Sequence, residues 1–131
     1  MRALIIVDML NEFVDGRLAN PKAQAVIEPI ERLLAHARRE GWVVVYSNDA
    51  HEPGDPELRV WGEHAMAGTP GAEVIPRLAP RPGDIVAPKR TYGAFDFTGL
   101  DEQLRERGVD AAELRRLRKV LDTRLGGKGD T

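Results

Sequence analysis

Two stretches of the chain are apolar without interruption, Ala3-Leu4-Ile5-Ile6-Val7 and Trp42-Val43-Val44-Val45-Tyr46. Rich in β-branched residues and lacking alternation, they predict strands buried on both faces, as in a parallel sheet. Between them the spacing changes. Val26, Ile27, Ile30, Leu33, Leu34 and Ala37 fall at i, i+1, i+4, i+7, i+8 and i+11, which is one apolar helix face. Asn20 is placed to cap this segment, Pro21 suits its first position, and Gly41 stops it. Pro29 conflicts with one continuous helix and predicts either a kink or the start of a second segment. Strand, helix, strand in this order is a right-handed βαβ unit.

Residues 49–83 have little periodicity apart from a short stretch near Glu73–Leu78, and they hold Gly, Pro, His, Trp and Asp. A connection of this length in a compact domain is functional or disordered, and two histidines and a tryptophan argue for function. Arg81-Pro82-Gly83-Asp84 predicts a turn, and Ile85–Ala87 predicts a third strand. Thr98, with Asp101 in the Thr-x-x-Asp position, predicts a capped helix ending at Gly108. From Ala111 the chain changes character. Leu114, Leu117, Leu121 and Leu125 form a narrow apolar stripe on a basic helix, with six Lys/Arg against three Asp/Glu from there to the end. Gly126-Gly127-Lys128-Gly129 predicts a frayed tail.

At 131 residues, 42% apolar and 31% charged, the chain suits one globular domain. A net charge of −2 implies no bulk attraction to nucleic acid or to an anionic membrane. No apolar run is long enough to span a bilayer, and the opening lacks a signal-peptide layout, so the expected setting is cytoplasmic. The chain has no cysteine, which excludes disulfides, thiolate metal sites and a thiol nucleophile of its own.

All three expected strands end in ionisable or metal-capable groups: Asp8 after the first, Asn48-Asp49-Ala50-His51 after the second, Lys89 after the third. In parallel α/β sheets, ligands bind beyond the carboxyl ends of the strands, so these groups predict one shared site. A carboxylate beside an ammonium stays ionised. It is a poor nucleophile there, and well suited to deprotonating a neighbouring thiol. Asp49, His51 and His64 form a candidate set for zinc, iron or manganese; the alternative for His64 is an ordinary loop histidine.

Five segments, Ala3-Leu4-Ile5-Ile6-Val7-Asp8-Met9-Leu10-Asn11-Glu12-Phe13, Asn48-Asp49-Ala50-His51, Trp61-Gly62-Glu63-His64 with Gly68-Thr69-Pro70-Gly71-Ala72-Glu73, Lys89-Arg90-Thr91-Tyr92-Gly93-Ala94-Phe95, and Gly108-Val109-Asp110, occur in that order. Together they resemble the isochorismatase-like cysteine hydrolases, the nicotinamidases among them. The resemblance covers residues 1–110, and residues 111–131 form a basic helix and tail outside it. It implies a Rossmann-like three-layer α/β/α fold around a six-stranded parallel sheet, here reduced to about three strands and a C-terminal helix. It implies Asp8 as the base that activates a cysteine and Lys89 as the group that stabilises thiolate and oxyanion. It assigns Phe13, Trp61 and Tyr92 to a pocket for a flat ring, and Asp49, His51 and His64 to a divalent metal. The implied reaction is hydrolysis of a small-molecule amide at its C–N bond through a thioester, releasing ammonia. For the three aromatics, ordinary packing is the alternative.

Two departures change these expectations. Nicotinamidases place another histidine shortly after His51, where this chain reads Glu52-Pro53-Gly54-Asp55-Pro56-Glu57. Either Glu57 or Asp55 substitutes, or metal is held weakly, or the site works without metal. After Asp110 the family continues with further strands and the nucleophilic cysteine, which this chain replaces with Ala111-Ala112-Glu113-Leu114-Arg115-Arg116-Leu117. A truncation, a frame shift or a replacement ending would each produce this. The chain is therefore expected to be inactive by itself. With the family's sheet order, its first strand is expected to be an exposed apolar edge, partly covered by the leucine stripe and otherwise leading to homo-oligomers or poor folding. The alternative function is a non-catalytic module that self-associates or binds a partner.

Overall fold

The computed structural model describes residues 1–90, 94–95 and 98–125, with side chains described as far as Leu121. Three parallel strands, β1 (Ala3–Val7), β2 (Val43–Asp49) and β3 (Ile85–Lys89), form one sheet in that order. Ala3 pairs with Val43 and Val7 with Ser47; Val45 pairs with Ile85 and Asp49 with Lys89. Among the described residues, six α-helices accompany the sheet: α1 (Asn11–Val14), α2 (Pro21–Ala25), α3 (Ile27–Arg39), α4 (Leu58–Trp61), α5 (Leu100–Glu106) and α6 (Ala111–Leu125).

The pleat sends alternate side chains to opposite faces, and each face is covered. Ile6, Val44 and Tyr46 meet Leu34 and Ala37 of α3 on one face. Ala3, Val43, Val45, Ile85 and Ala87 meet Leu100 and Leu104 of α5 and Leu114, Leu117 and Leu121 of α6 on the other. This is a three-layer α/β/α arrangement, as expected. Strand β3 is less enclosed: Val86 is 50% exposed, and Pro88 sits on an edge strand, where its missing N–H interrupts no ladder.

Two local expectations need correction, and one alternative is decided: the second segment signalled by Pro29 forms, so two helices lie between β1 and β2. Val26 breaks the run, and Pro29 falls in the first turn of α3, where its N–H would have no intrahelical acceptor. The Thr98–Asp101 box does not form. The residue before α5 is Gly99, in the left-handed conformation at φ 70°. Thr98 Oγ1 accepts instead from Leu100 N at 3.3 Å, and Asp101 Oδ1 accepts from Glu102 N at 2.9 Å. Finally, Leu114, Leu117 and Leu121 of α6 cover mainly a face of the sheet, and of these Leu121 also lines the groove beside β1. The tail Gly126-Gly127-Lys128-Gly129 lies outside the described residues.

Among the described residues no strand pairs with the outer edge of β1. Arg2 O accepts from Val43 N, and Asp8 N donates to Ser47 O, so the even-numbered residues bond β2. The backbone groups of Ile5 and Val7 face away from it. A groove of about 780 Å³ runs alongside, lined by Ile5, Val7, Val26, Leu33 and Val120 among others. Val26, Leu33 and Val120 are 40%, 44% and 45% exposed. Of the helix stripe read from the sequence, Val26 and Leu33 thus face this groove, while Ile30 lines it and also packs against the core.

Candidate functional site

The parallel register brings the carboxyl ends of all three strands together. Lys89 ends β3 directly opposite Asp49, the last residue of β2. Asp8 follows β1 and adopts φ 55°, a left-handed conformation that acids tolerate better than branched residues do. Its carboxylate accepts from Asp49 N at 2.8 Å. Lys89 Nζ donates to both Asp8 oxygens, at 3.1 and 3.0 Å, and to Asp49 Oδ1. Lys89 is 2% exposed, whereas the Asp8 side chain is 27% exposed, so Asp8 is the member of the trio open to a ligand.

One ammonium between two carboxylates leaves a surplus negative charge. Burial pushes the Asp8 carboxyl up, and Asp49 adds to this; attraction to Lys89 only partly offsets them, so the net direction is upward. Burial alone would push Lys89 down, but Asp8 and Asp49 together outweigh it and hold the ammonium above its ordinary value. The trio is a firmly charged cation beside a carboxylate made more basic than usual. Such a carboxylate can take a proton from a thiol placed next to it.

Asp49 also faces the other way. One ligand atom from each of Asp49, His51, Glu57 and His64 (a carboxylate oxygen or an imidazole nitrogen) lies within 4.8 Å of the others. His51 Nε2 is buried with no hydrogen-bond partner, 3.6 Å from Asp49 Oδ2 and 3.6 Å from Glu57 Oε1. These separations are close to the roughly 3.4 Å between ligand atoms of a tetrahedral zinc site. His64 Nδ1 donates to Gly62 O at 2.8 Å, which leaves its Nε2 as the ligand atom. Burial pushes the Glu57 carboxyl up, with Asp49 contributing in the same direction. Two like-charged carboxylates around an unpartnered imidazole nitrogen are a donor set suited to a divalent cation. Of the substitutes weighed for the absent histidine, Glu57 enters the set.

Asp55 does not face the set; it stands behind His51. His51 Nδ1 is 3.1 Å from Asp55 Oδ2, and Arg90 grips Asp55 Oδ1 through Nε at 3.0 Å and through Nη2. The Arg90 hydrogen bond holds the Asp55 carboxyl far below the usual carboxylate range. The loop carrying these groups is pinned to the body. Glu12 Oε1 accepts from Ala65 N at 3.1 Å, and short antiparallel and parallel bridges join Leu10 to Val74 and His51 to Met66. Phe13 lies beside this end of the site, its ring 5.9 Å from that of His64. Trp61 is 49% exposed at the end of α4, and Arg17 bonds its carbonyl oxygen at 2.7 Å. Tyr92 lies outside the described residues.

Sequence reasoning placed Asp49 only among the metal ligands and overlooked its bond to Lys89. The strand lengths carried that signal, because parallel strands ending in register bring their last residues side by side. Arg90 was overlooked as the partner of Asp55.

The Isochorismatase domain family matches residues 2–114 of the chain. The chain belongs to this family. The nicotinamidase/pyrazinamidase of Mycobacterium tuberculosis is 37% identical over 130 residues, covering 87% of this chain and 70% of that protein. The N-carbamoylsarcosine amidase of Thermoplasma acidophilum is 48% identical, with a TM-score of 0.80 over 84% of this chain and 64% of that one. The pyrazinamidase of Pyrococcus horikoshii, solved in complex with zinc, is 25% identical with a TM-score of 0.71, covering 82% and 65%. This member of the isochorismatase family thus spans about two thirds of the length of its relatives.

Proposed function

We propose that the chain carries the acid–base and metal-binding part of an amidohydrolase that cleaves the C–N bond of a small amide. The observation that carries this reading is the Lys89 ammonium held between Asp8 and Asp49 at the joined strand ends. Asp8 takes the proton of a cysteine thiol, and Lys89 stabilises the thiolate and the oxyanion that forms when sulfur attacks the carbonyl. The C–S bond forms, the C–N bond breaks, and the amine leaves with the proton from Asp8. Water then enters by the same route in reverse and frees the acid. The thiol is not supplied by these 131 residues. A divalent metal on Asp49, His51, Glu57 and His64 would supply an anchoring point for an electron-pair donor on the substrate. Phe13 and Trp61 are the described aromatics proposed to flank a flat substrate, with Tyr92 a third.

The chain alone is expected to release no ammonia from nicotinamide or N-carbamoylsarcosine. A chimera in which residues 111–131 are replaced by the cysteine-bearing remainder of a relative is expected to do so, and to lose turnover at least a hundredfold on Asp8→Asn. A folded chimera without turnover, or amidase activity in the thiol-free chain, overturns the reading. Among the described residues no helix is long and apolar enough to cross a membrane. The cytoplasm is the setting that goes with this reading, and cell fractionation tests it.

The open β1 edge supports a second reading, in which the chain associates with a second copy of itself. An edge strand beside an apolar groove is self-complementary about a twofold axis. Sedimentation velocity is expected to find a dimer or larger species at micromolar concentration, returned to monomer by Leu33→Glu with Val120→Glu. A wild-type monomer at about 100 micromolar, within the range where exposed apolar surface and strand edges drive association, sinks this reading.

A further inference from the structure

We propose that Asp55, braced by Arg90, is a positioning residue that fixes His51 in the one tautomer able to bind metal through Nε2. The inference rests on the metal reading above and extends it to residues behind the ligand set.

Asp55 is 3% exposed, and its carboxylate accepts from both Glu52 N and Arg90. Oδ2 accepts from Glu52 N at 3.0 Å and lies 3.1 Å from His51 Nδ1. Oδ1 accepts from Arg90 Nε and Nη2. An ionised carboxylate has no proton to give, so the hydrogen between Asp55 and His51 belongs to the imidazole. A neutral imidazole protonated at Nδ1 presents a lone pair at Nε2. That is the atom left buried and unpartnered, 3.6 Å from both Asp49 and Glu57. The opposite tautomer would set a lone pair against the carboxylate and aim an N–H at the ligand position.

Arg90 is what makes Asp55 dependable in this role. Its guanidinium is 61% exposed, while the carboxylate it holds is almost wholly enclosed. Both guanidinium nitrogens converge on Oδ1, which leaves Oδ2 turned toward Glu52 N and His51 Nδ1. Arg90 follows Lys89 directly, so one strand end braces both the ammonium trio and the histidine. Carboxylates behind metal-bound histidines act in this way, and their loss weakens metal binding about 10- to 100-fold.

The test uses the full chain. Long-range nitrogen–proton NMR of His51 in metal-free protein is expected to report the Nδ1–H form. Zinc affinity is then measured by competition with a chromophoric chelator for wild type, Asp55→Asn and Arg90→Gln. Asp55→Asn is expected to bind zinc about 10- to 100-fold more weakly, since an amide can turn its N–H toward Nδ1 and reverse the tautomer. Arg90→Gln, a change at an exposed side chain, is expected to fold and to show a smaller loss in the same direction. Wild-type protein that takes up no zinc overturns the metal reading itself. Wild-type uptake with unchanged affinity in both variants, or a wild-type His51 protonated at Nε2, overturns the positioning role. Should Asp55→Asn fail to fold, Arg90→Gln and the wild-type tautomer still decide.

Discussion

Lys89→Met is expected to destabilise the chain by about 3–5 kcal/mol, the cost of removing one partner from a buried charge set. Methionine fills most of the space of the lysine stem, so the loss is electrostatic and not a cavity. Without the ammonium, Asp8 and Asp49 face each other across the strand ends with nothing to balance them. The pH dependence has a definite sign. In the wild type the raised Lys89 value means that its stabilisation is complete below the ordinary lysine range and is lost only as pH rises through the folded-state value. In the variant Asp8 loses the attraction to Lys89 that partly offset its burial, and its folded-state value rises further. A carboxyl raised on folding favours the folded state at low pH and opposes it once ionised. The deficit of the variant is therefore expected to shrink as pH falls from 7 to 5. Urea melts across that range measure it, and adding Asp49→Asn to Lys89→Met should recover part of the loss. Equal midpoints for wild type and Lys89→Met would show that the trio is not a coupled charge set.

The layering was legible because hydrophobic runs are a global signal. Five apolar residues in a row cannot all face one side of a strand, so Ala3–Val7 and the run through Val45 required cover on both faces. What escaped depended on local backbone geometry or on register. Val26 closes α2 and opens α3 with the same apolar side chain that a continuous helix would use, so periodicity alone does not mark the break. Thr98 was read as a cap one residue early, because Gly99 at positive φ ends the loop and Thr98 donates to Ala94 O as well. The trio at Asp8, Asp49 and Lys89 could be read as residues at strand ends, but the sharing of Lys89 between two acids needed the β2–β3 register. Glu57 and Asp55 stand two residues apart in a loop, and spacing could not say which faces the histidine and which stands behind it. The fold decides by turning Asp55 back onto Glu52 N and His51 Nδ1.

Zinc is expected to raise the melting temperature on the order of 10 °C at about a thousandfold excess over its dissociation constant, equivalent to roughly 4 kcal/mol. A chelator should return the metal-free value. Glu57→Gln separates this effect from general stabilisation, because the two states respond in opposite directions. In metal-free protein the Glu57 carboxyl is raised, first by burial and next by Asp49. A group whose folded-state value is raised lowers stability at neutral pH, where it must ionise, so the neutral amide is expected to raise the metal-free melting temperature. The same amide is a weaker ligand than a carboxylate and no longer offsets the charge of a dication. The gain on adding zinc should therefore fall in Glu57→Gln while the baseline rises. A baseline that drops would mean that Glu57 is held by contacts other than its uneasy position beside Asp49. An unchanged zinc increment would remove Glu57 from the donor set and leave Asp49, His51 and His64 to hold the ion alone.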